Sequence, residues 1–203
     1  MRRLAGQTGK DGPVKVNPTT GRVLSFDPST TATGIALVER LPELAAVGWG
    51  VCRLGTERRR YFRTMRGAVE TVVGACAVEL PKTWVVETWP GHKSYVVARA
   101  LSAALQAVLD VADSLDCRVV LVSAHLWQSS IGVHRVFATD ADEKARKTAT
   151  IKWVRRAFEL DGPPPEDVAD ALALAASYYG AGGAAPLYAP LPKPKKSKPR
   201  PRA

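Results

Sequence analysis

The chain has 203 residues, 46% of them hydrophobic and 24% charged, which suits one domain with a sizeable core. Its 29 Lys and Arg against 19 Asp and Glu give a formal charge of +10. With no long uninterrupted apolar run and no apolar stretch behind Arg2 and Arg3, a membrane protein and a secreted one are excluded, and a cytoplasmic protein is expected. Cys52, Cys76 and Cys117 lack disulfide-frame or zinc-type spacing and read as reduced structural thiols.

Three segments follow from the charge distribution. Residues 1–20 hold Arg2, Arg3, Lys10 and Lys15 against Asp11, a net +3, and read as a disordered extension. The body, residues 21–182, is close to neutral, which excludes a uniformly basic nucleic-acid domain. Residues 183–203 form a Pro-rich tail whose last eleven residues carry Lys193, Lys195, Lys196, Lys198, Arg200 and Arg202 without an acid. Such a tail has too many prolines for a helix and too little apolar surface to fold, so it is expected to be a disordered arm suited to loose phosphate contact.

Within the body, residues 22–26, 33–40 and 46–53 read as three strands at hairpin spacing, an antiparallel meander. From Arg58 to Leu80, Phe62, Met65, Val69, Val72, Val73 and Cys76 recur as one helical face. A short buried strand covers Thr83–Glu87. Residues 94–115 form the clearest helix, and Arg118–Val122 is an apolar strand expected at the sheet centre. A charged helix over 140–160 is expected to turn Ile151, Val154 and Phe158 inward and Lys144, Arg146, Lys147, Lys152, Arg155 and Arg156 outward. After Pro163-Pro164-Pro165, a last helix runs from Glu166 to Tyr179 and ends at Gly180. The order βββαβαβαα describes an α/β sandwich with a mixed five-stranded sheet flanked by helices.

This order puts acids at the ends of structural elements. Asp27 ends the first strand, Glu87 ends the fourth, and Asp167 and Asp170 are three apart at the start of the last helix, on one face. Asp27 alone is a common turn former before Pro28, and Asp167 alone an ordinary first-turn acid. Glu87, continuing an apolar strand, needs a partner, and Asp170 lies in an almost wholly apolar helix. Carboxylates gathered without basic partners are costly, and an oxygen-ligated Mg²⁺ or Mn²⁺ is the usual remedy. Two such ions can activate water for phosphodiester hydrolysis.

Taken together, the motifs carry a family resemblance. Asp27-Pro28-Ser29-Thr30-Thr31-Ala32-Thr33-Gly34 resembles the first motif of RuvC Holliday-junction resolvases, with Ser29 where that family has Gly. Val85-Val86-Glu87 resembles their second acidic strand, and Asp167-Val168-Ala169-Asp170-Ala171-Leu172-Ala173 their C-terminal acidic helix. The resemblance spans residues 22 to about 180 in order. It implies a ribonuclease H-like fold and a homodimer that cuts two symmetric strands of a four-way DNA junction. It also implies two metal ions held by Asp27, Glu87, Asp167 and Asp170, where in-line attack of water on the scissile phosphorus is expected to leave 3′-hydroxyl and 5′-phosphate ends.

For DNA contact the sequence offers Trp89 as a wedge at the junction centre, with Lys93, His125, His134 and Arg135 standing where relatives use lysines. Arg53, Arg58, Arg59, Arg60, Arg63 and Arg66 against Glu57 form a basic cluster, and Lys144 and Lys147 a second face. With the tail lysines, these are the expected phosphate contacts. Alternative readings are a nuclease of the same fold acting on flaps or RNA–DNA hybrids, a non-catalytic DNA-binding module, and a fragment of an actin-like ATPase.

Overall fold

A computed structural model of the protein describes residues 21–55, 57, 60–88, 94–133 and 140–180. Five strands form one sheet: β1 (Gly21–Pro28), β2 (Ala32–Arg40), β3 (Leu44–Arg53), β4 (Thr83–Thr88) and β5 (Arg118–Ser123). Five helices accompany them: α1 (Tyr61–Ala75), α2 (Tyr95–Ser114), α3 (Ala124–Ser130), α4 (Asp140–Ala157) and α5 (Glu166–Tyr178). The strand order is β3-β2-β1-β4-β5. β1, β2 and β3 pair antiparallel, whereas β1, β4 and β5 run parallel. Short turns suffice for the meander, while each parallel step is bridged by a helix.

Strand alternation sorts the apolar residues between two layers. Leu24, Phe26, Ile35, Leu37, Trp84 and Val86 face α1 and α2, where Met65, Val69, Ala104, Val108 and Val111 close over them. Val23, Ala36, Val38, Val85, Val120 and Val122 face the other way, under α5 and against Trp127, Val154 and Phe158. The three inner strands, β2, β1 and β4, therefore carry apolar residues on both faces, as a sheet covered on two sides requires.

α5 lies against the sheet because its inward residues are small or smooth. Ala169, Ala171, Ala173, Ala175 and Ala176 are buried, and the Ser25 hydroxyl on β1 donates to the Ala171 carbonyl at 2.7 Å. Gly34 sets the approach: a Cβ there would collide with the backbone carbonyl of Asp167. At the far end, Gly180 takes a φ of +75° and ends the helix.

Several sequence expectations are corrected by the structure. α3 was not anticipated, because a seven-residue helix that directly follows a strand shows too little periodicity. β5 is an edge strand rather than a central one; its apolar run reflects cover from α2 and α3. Phe62 is exposed, since Tyr61 takes the inward place at the start of α1. Arg146, expected outward on α4, is buried. The inward stripe of that helix is Arg146, Thr150 and Val154 at four-residue spacing, continued by Phe158.

By length and composition, α2 could cross a membrane, contrary to the expectation that no segment qualifies. Ala104, Ala107, Val108, Val111 and Ala112 of this helix pack on the sheet, which accounts for its apolar character.

Candidate active site

Register brings the first two acids together. Phe26 pairs with Val86 in the parallel β1–β4 ladder, so Asp27 and Glu87 sit side by side one residue further on. Both alternate to the α5 face, opposite Phe26 and Val86. The β1–β2 turn beside them is closed by Ser29, whose amide donates to the Ala32 carbonyl at 2.7 Å and whose hydroxyl accepts from the Ala32 amide at 3.1 Å. Serine thus makes the turn here without a glycine.

The other two acids arrive on α5. Asp27 pairs with Gly34 across β1–β2, and Gly34 is where the backbone of Asp167 touches the sheet. One turn along, Asp170 looks onto the same cleft. Its neighbours are buried alanines and valine, so the carboxylate is the polar exception on that face. The structure brings Asp27, Glu87, Asp167 and Asp170 to one end of the sheet.

Their electrostatics reflect that crowding. Burial is the main cause that raises Asp27 well above the usual carboxylate range, and the charges of Glu87, Asp170 and Asp167 add to it. Glu87 is pushed up to about 7, again chiefly by burial. Asp170 is raised by burial and partly restored by Arg146. A cleft that favours protonated carboxyls is short of positive charge.

Two partners were not legible in the sequence reading. Trp127 on α3, fully buried, donates its indole N–H to Glu87 Oε2 at 2.6 Å. It is the partner that a carboxylate on an apolar strand needs. A Trp four residues after an apolar strand was the available signal, but without α3 nothing linked it to Glu87. Arg146 on α4 is the second. Its Nε and Nη2 grip the two oxygens of Glu143 at 3.0 and 2.7 Å, and Nη2 also reaches Asp170 Oδ2 at 3.4 Å. The Glu143–Arg146 spacing of three was visible; that it faces inward was not.

The DNA-contact candidates separate into three groups. Lys144 is exposed on α4, and His125 is exposed on α3. Arg60 pairs with Glu57 at 2.8 Å, Arg66 with Glu70 at 2.9 Å, and Lys147 with Glu166 at 2.8 Å, so these charges are partly offset. Arg58, Arg59, Trp89, Lys93, His134, Arg135 and the tail residues Lys193, Lys195, Lys196 and Lys198 lie outside the described residues.

All four carboxylates are oxygen donors, which suits a hard divalent ion such as Mg²⁺ or Mn²⁺, and the raised protonation of Asp27, Glu87 and Asp170 marks a deficit that a cation would correct. Among the described residues, no three His, Cys, Asp or Glu side chains already form an ion-holding group.

A mixed five-stranded sheet in the order β3-β2-β1-β4-β5, flanked by helices and carrying acids at the ends of β1, β4 and the start of α5, is a ribonuclease H-like fold. The fold is shared with RuvC. The structure is similar to Thermus thermophilus RuvC in complex with a Holliday junction substrate, with a TM-score of 0.62 and 21% identity over 82% of this chain and 100% of that one. It is equally similar to a second T. thermophilus RuvC structure, with a TM-score of 0.61, 22% identity and the same coverage. No protein-family model matches the chain, and no curated protein matches it in sequence.

Proposed function

We propose that the protein is a divalent-metal-dependent endonuclease that resolves four-way or other branched DNA junctions. The single observation carrying this reading is the convergence of Asp27, Glu87, Asp167 and Asp170 on one cleft of a RuvC-like fold, with too little positive charge to balance them. These residues would hold one or two Mg²⁺ or Mn²⁺ ions. When bound, such ions supply an activated water and charge stabilisation at the scissile phosphorus. The chain's own part is positional. Trp127 holds Glu87 towards the cleft, while Ser25 and Gly34 set the depth at which α5 presents Asp167 and Asp170.

Hydrolysis would leave 3′-hydroxyl and 5′-phosphate ends. Exposed Lys144, Lys152, Arg155 and Arg156 on α4, together with the Arg60–Arg66 stretch of α1, offer phosphate contacts on the body. Residues 193–203 would add a loose electrostatic hold, and Trp89 a stacking wedge. Paired cuts need two active sites. Tyr95 and Val96, 76% and 71% exposed at the start of α2, offer apolar surface for a second copy of the chain.

Labelled four-way, three-way, flap, hybrid and linear duplex substrates, each with Mg²⁺, test the reading. The four-way junction should be cut in paired strands, and Asp27→Asn should lose cleavage by roughly 10³-fold while still binding junction DNA. Equal nicking of linear duplex would remove junction selectivity, and full activity in Asp27→Asn would remove the site.

A further inference from the structure

Arg146 is a cation inside the acidic cleft with an arrangement that stability alone does not account for. Its side chain is 9% exposed. The Glu143 fork holds it firmly, at 2.7 and 3.0 Å, whereas its contact with Asp170 is long, at 3.4 Å. Its third nitrogen, Nη1, is buried with no hydrogen-bond partner among the described residues. Burying a guanidinium with one nitrogen orphaned is costly, and an apolar residue on the Thr150–Val154 stripe would avoid that cost. What the arginine does supply is positive charge beside Asp170, within the field of Asp27 and Glu87 as well.

A divalent ion and a guanidinium ask for the same thing from Asp170, a carboxylate oxygen with its charge. Both cannot hold it at full strength at once. The short grip belongs to Glu143 and the long one to Asp170, so Asp170 is the contact that can be released while Arg146 stays anchored. We infer that Arg146, anchored by Glu143, is the resident counter-cation of the cleft and competes with the divalent ion for Asp170. The site then exchanges an internal cation for an external one, which keeps the carboxylates gathered before the ion arrives and lowers the ion's net affinity.

This rests on the nuclease reading above, and the test uses DNA-free ion binding so that the two can fail separately. The full chain is titrated with Mn²⁺ by calorimetry and melted with and without the ion. Arg146→Gln should bind Mn²⁺ roughly tenfold more tightly and melt lower than the wild type only when ion-free. Arg146→Lys, which keeps the charge, should stay near the wild type. Glu143→Gln, which leaves the guanidinium to Asp170 alone, should bind Mn²⁺ several-fold more weakly. Opposite shifts at two residues in contact are not what a merely structural role produces. A folded Arg146→Gln with unchanged or weaker ion binding overturns the inference, as does unchanged binding in Glu143→Gln if Arg146→Gln does not fold. A wild type that takes up no Mn²⁺ removes the nuclease reading with it; one that takes up Mn²⁺ and cleaves, yet is indifferent to Arg146, removes this inference alone.

Discussion

The two faces of the sheet are built from the same strands but to different ends. Beneath α1 and α2 the interior is Leu24, Phe26, Ile35, Leu37, Met65, Trp84, Val86 and Val108, with the Phe26 and Trp84 rings in tilted contact at a centroid distance of 4.7 Å. Beneath α3, α4 and α5 the apolar layer is interrupted by Ser25, Ser130, Arg146, Thr150 and Ser177, all buried, and it opens at one end onto the four acids. One face supplies stability through apolar burial; the other spends part of that stability on holding charges in place. A shared sheet lets apolar burial on the first face offset the desolvation cost of the second.

Matched substitutions on the two faces would break this comparison if it is wrong. Met65→Ala opens a cavity under α1 and should cost about 3 kcal/mol, while leaving cleavage by the folded protein intact. Gly34→Ala should cost about as much, because the new Cβ drives the Asp167 backbone off the sheet, but it should also remove most cleavage. Denaturant melts and single-turnover cleavage below both midpoints measure the pair. Equal losses of activity would show that the faces are not functionally separate.

Stability against pH sharpens the same contrast. Folding raises Asp27, Glu87 and Asp170, so the folded chain holds protons that the unfolded chain has released. The stability this contributes is complete below the ordinary carboxylate range and is lost as pH rises towards the folded value of Glu87, about 7. Without divalent ions, the protein should therefore lose on the order of 2–3 kcal/mol between pH 4.5 and 7.5 from this end of the sheet. Glu87→Gln should flatten that slope. A melting temperature that rises over this interval in chelator would contradict it.

The smallest expected effect concerns a single hydrogen bond. Trp127→Phe keeps most of the buried ring area but removes the donor to Glu87. Cleavage should fall by roughly tenfold with little change in junction binding, as for other groups that orient a ligand rather than act as one. Kinetics separating substrate affinity from the cleavage step would expose any other outcome.

Much of the fold was legible because it depends on local pattern. Alternation over residues 22–53 marks the meander, the three- and four-residue spacing of Met65, Val69, Val72 and Val73 marks α1, and Gly180 marks the end of α5. The acids were legible for a related reason: Glu87 and Asp170 interrupt otherwise apolar elements, and an interruption needs a cause. Their partners were not. Arg146 sits among six basic residues on α4, and no periodicity distinguishes the one that faces inward from those that face water.

By itself, the sequence determined which elements form, α3 excepted, which carboxylates stand at their ends, and the resemblance to RuvC, since each of these rests on residue type and spacing along the chain. Only the tertiary structure decided that Asp27 and Glu87 lie in register, that Gly34 lets Asp167 in, and that Trp127 and Arg146 meet the acids. Those contacts join residues from 24 to more than 100 positions apart, where packing rather than local propensity selects the neighbour. That is why the charge balance of the cleft, with its internal arginine, could not be read from the order of residues.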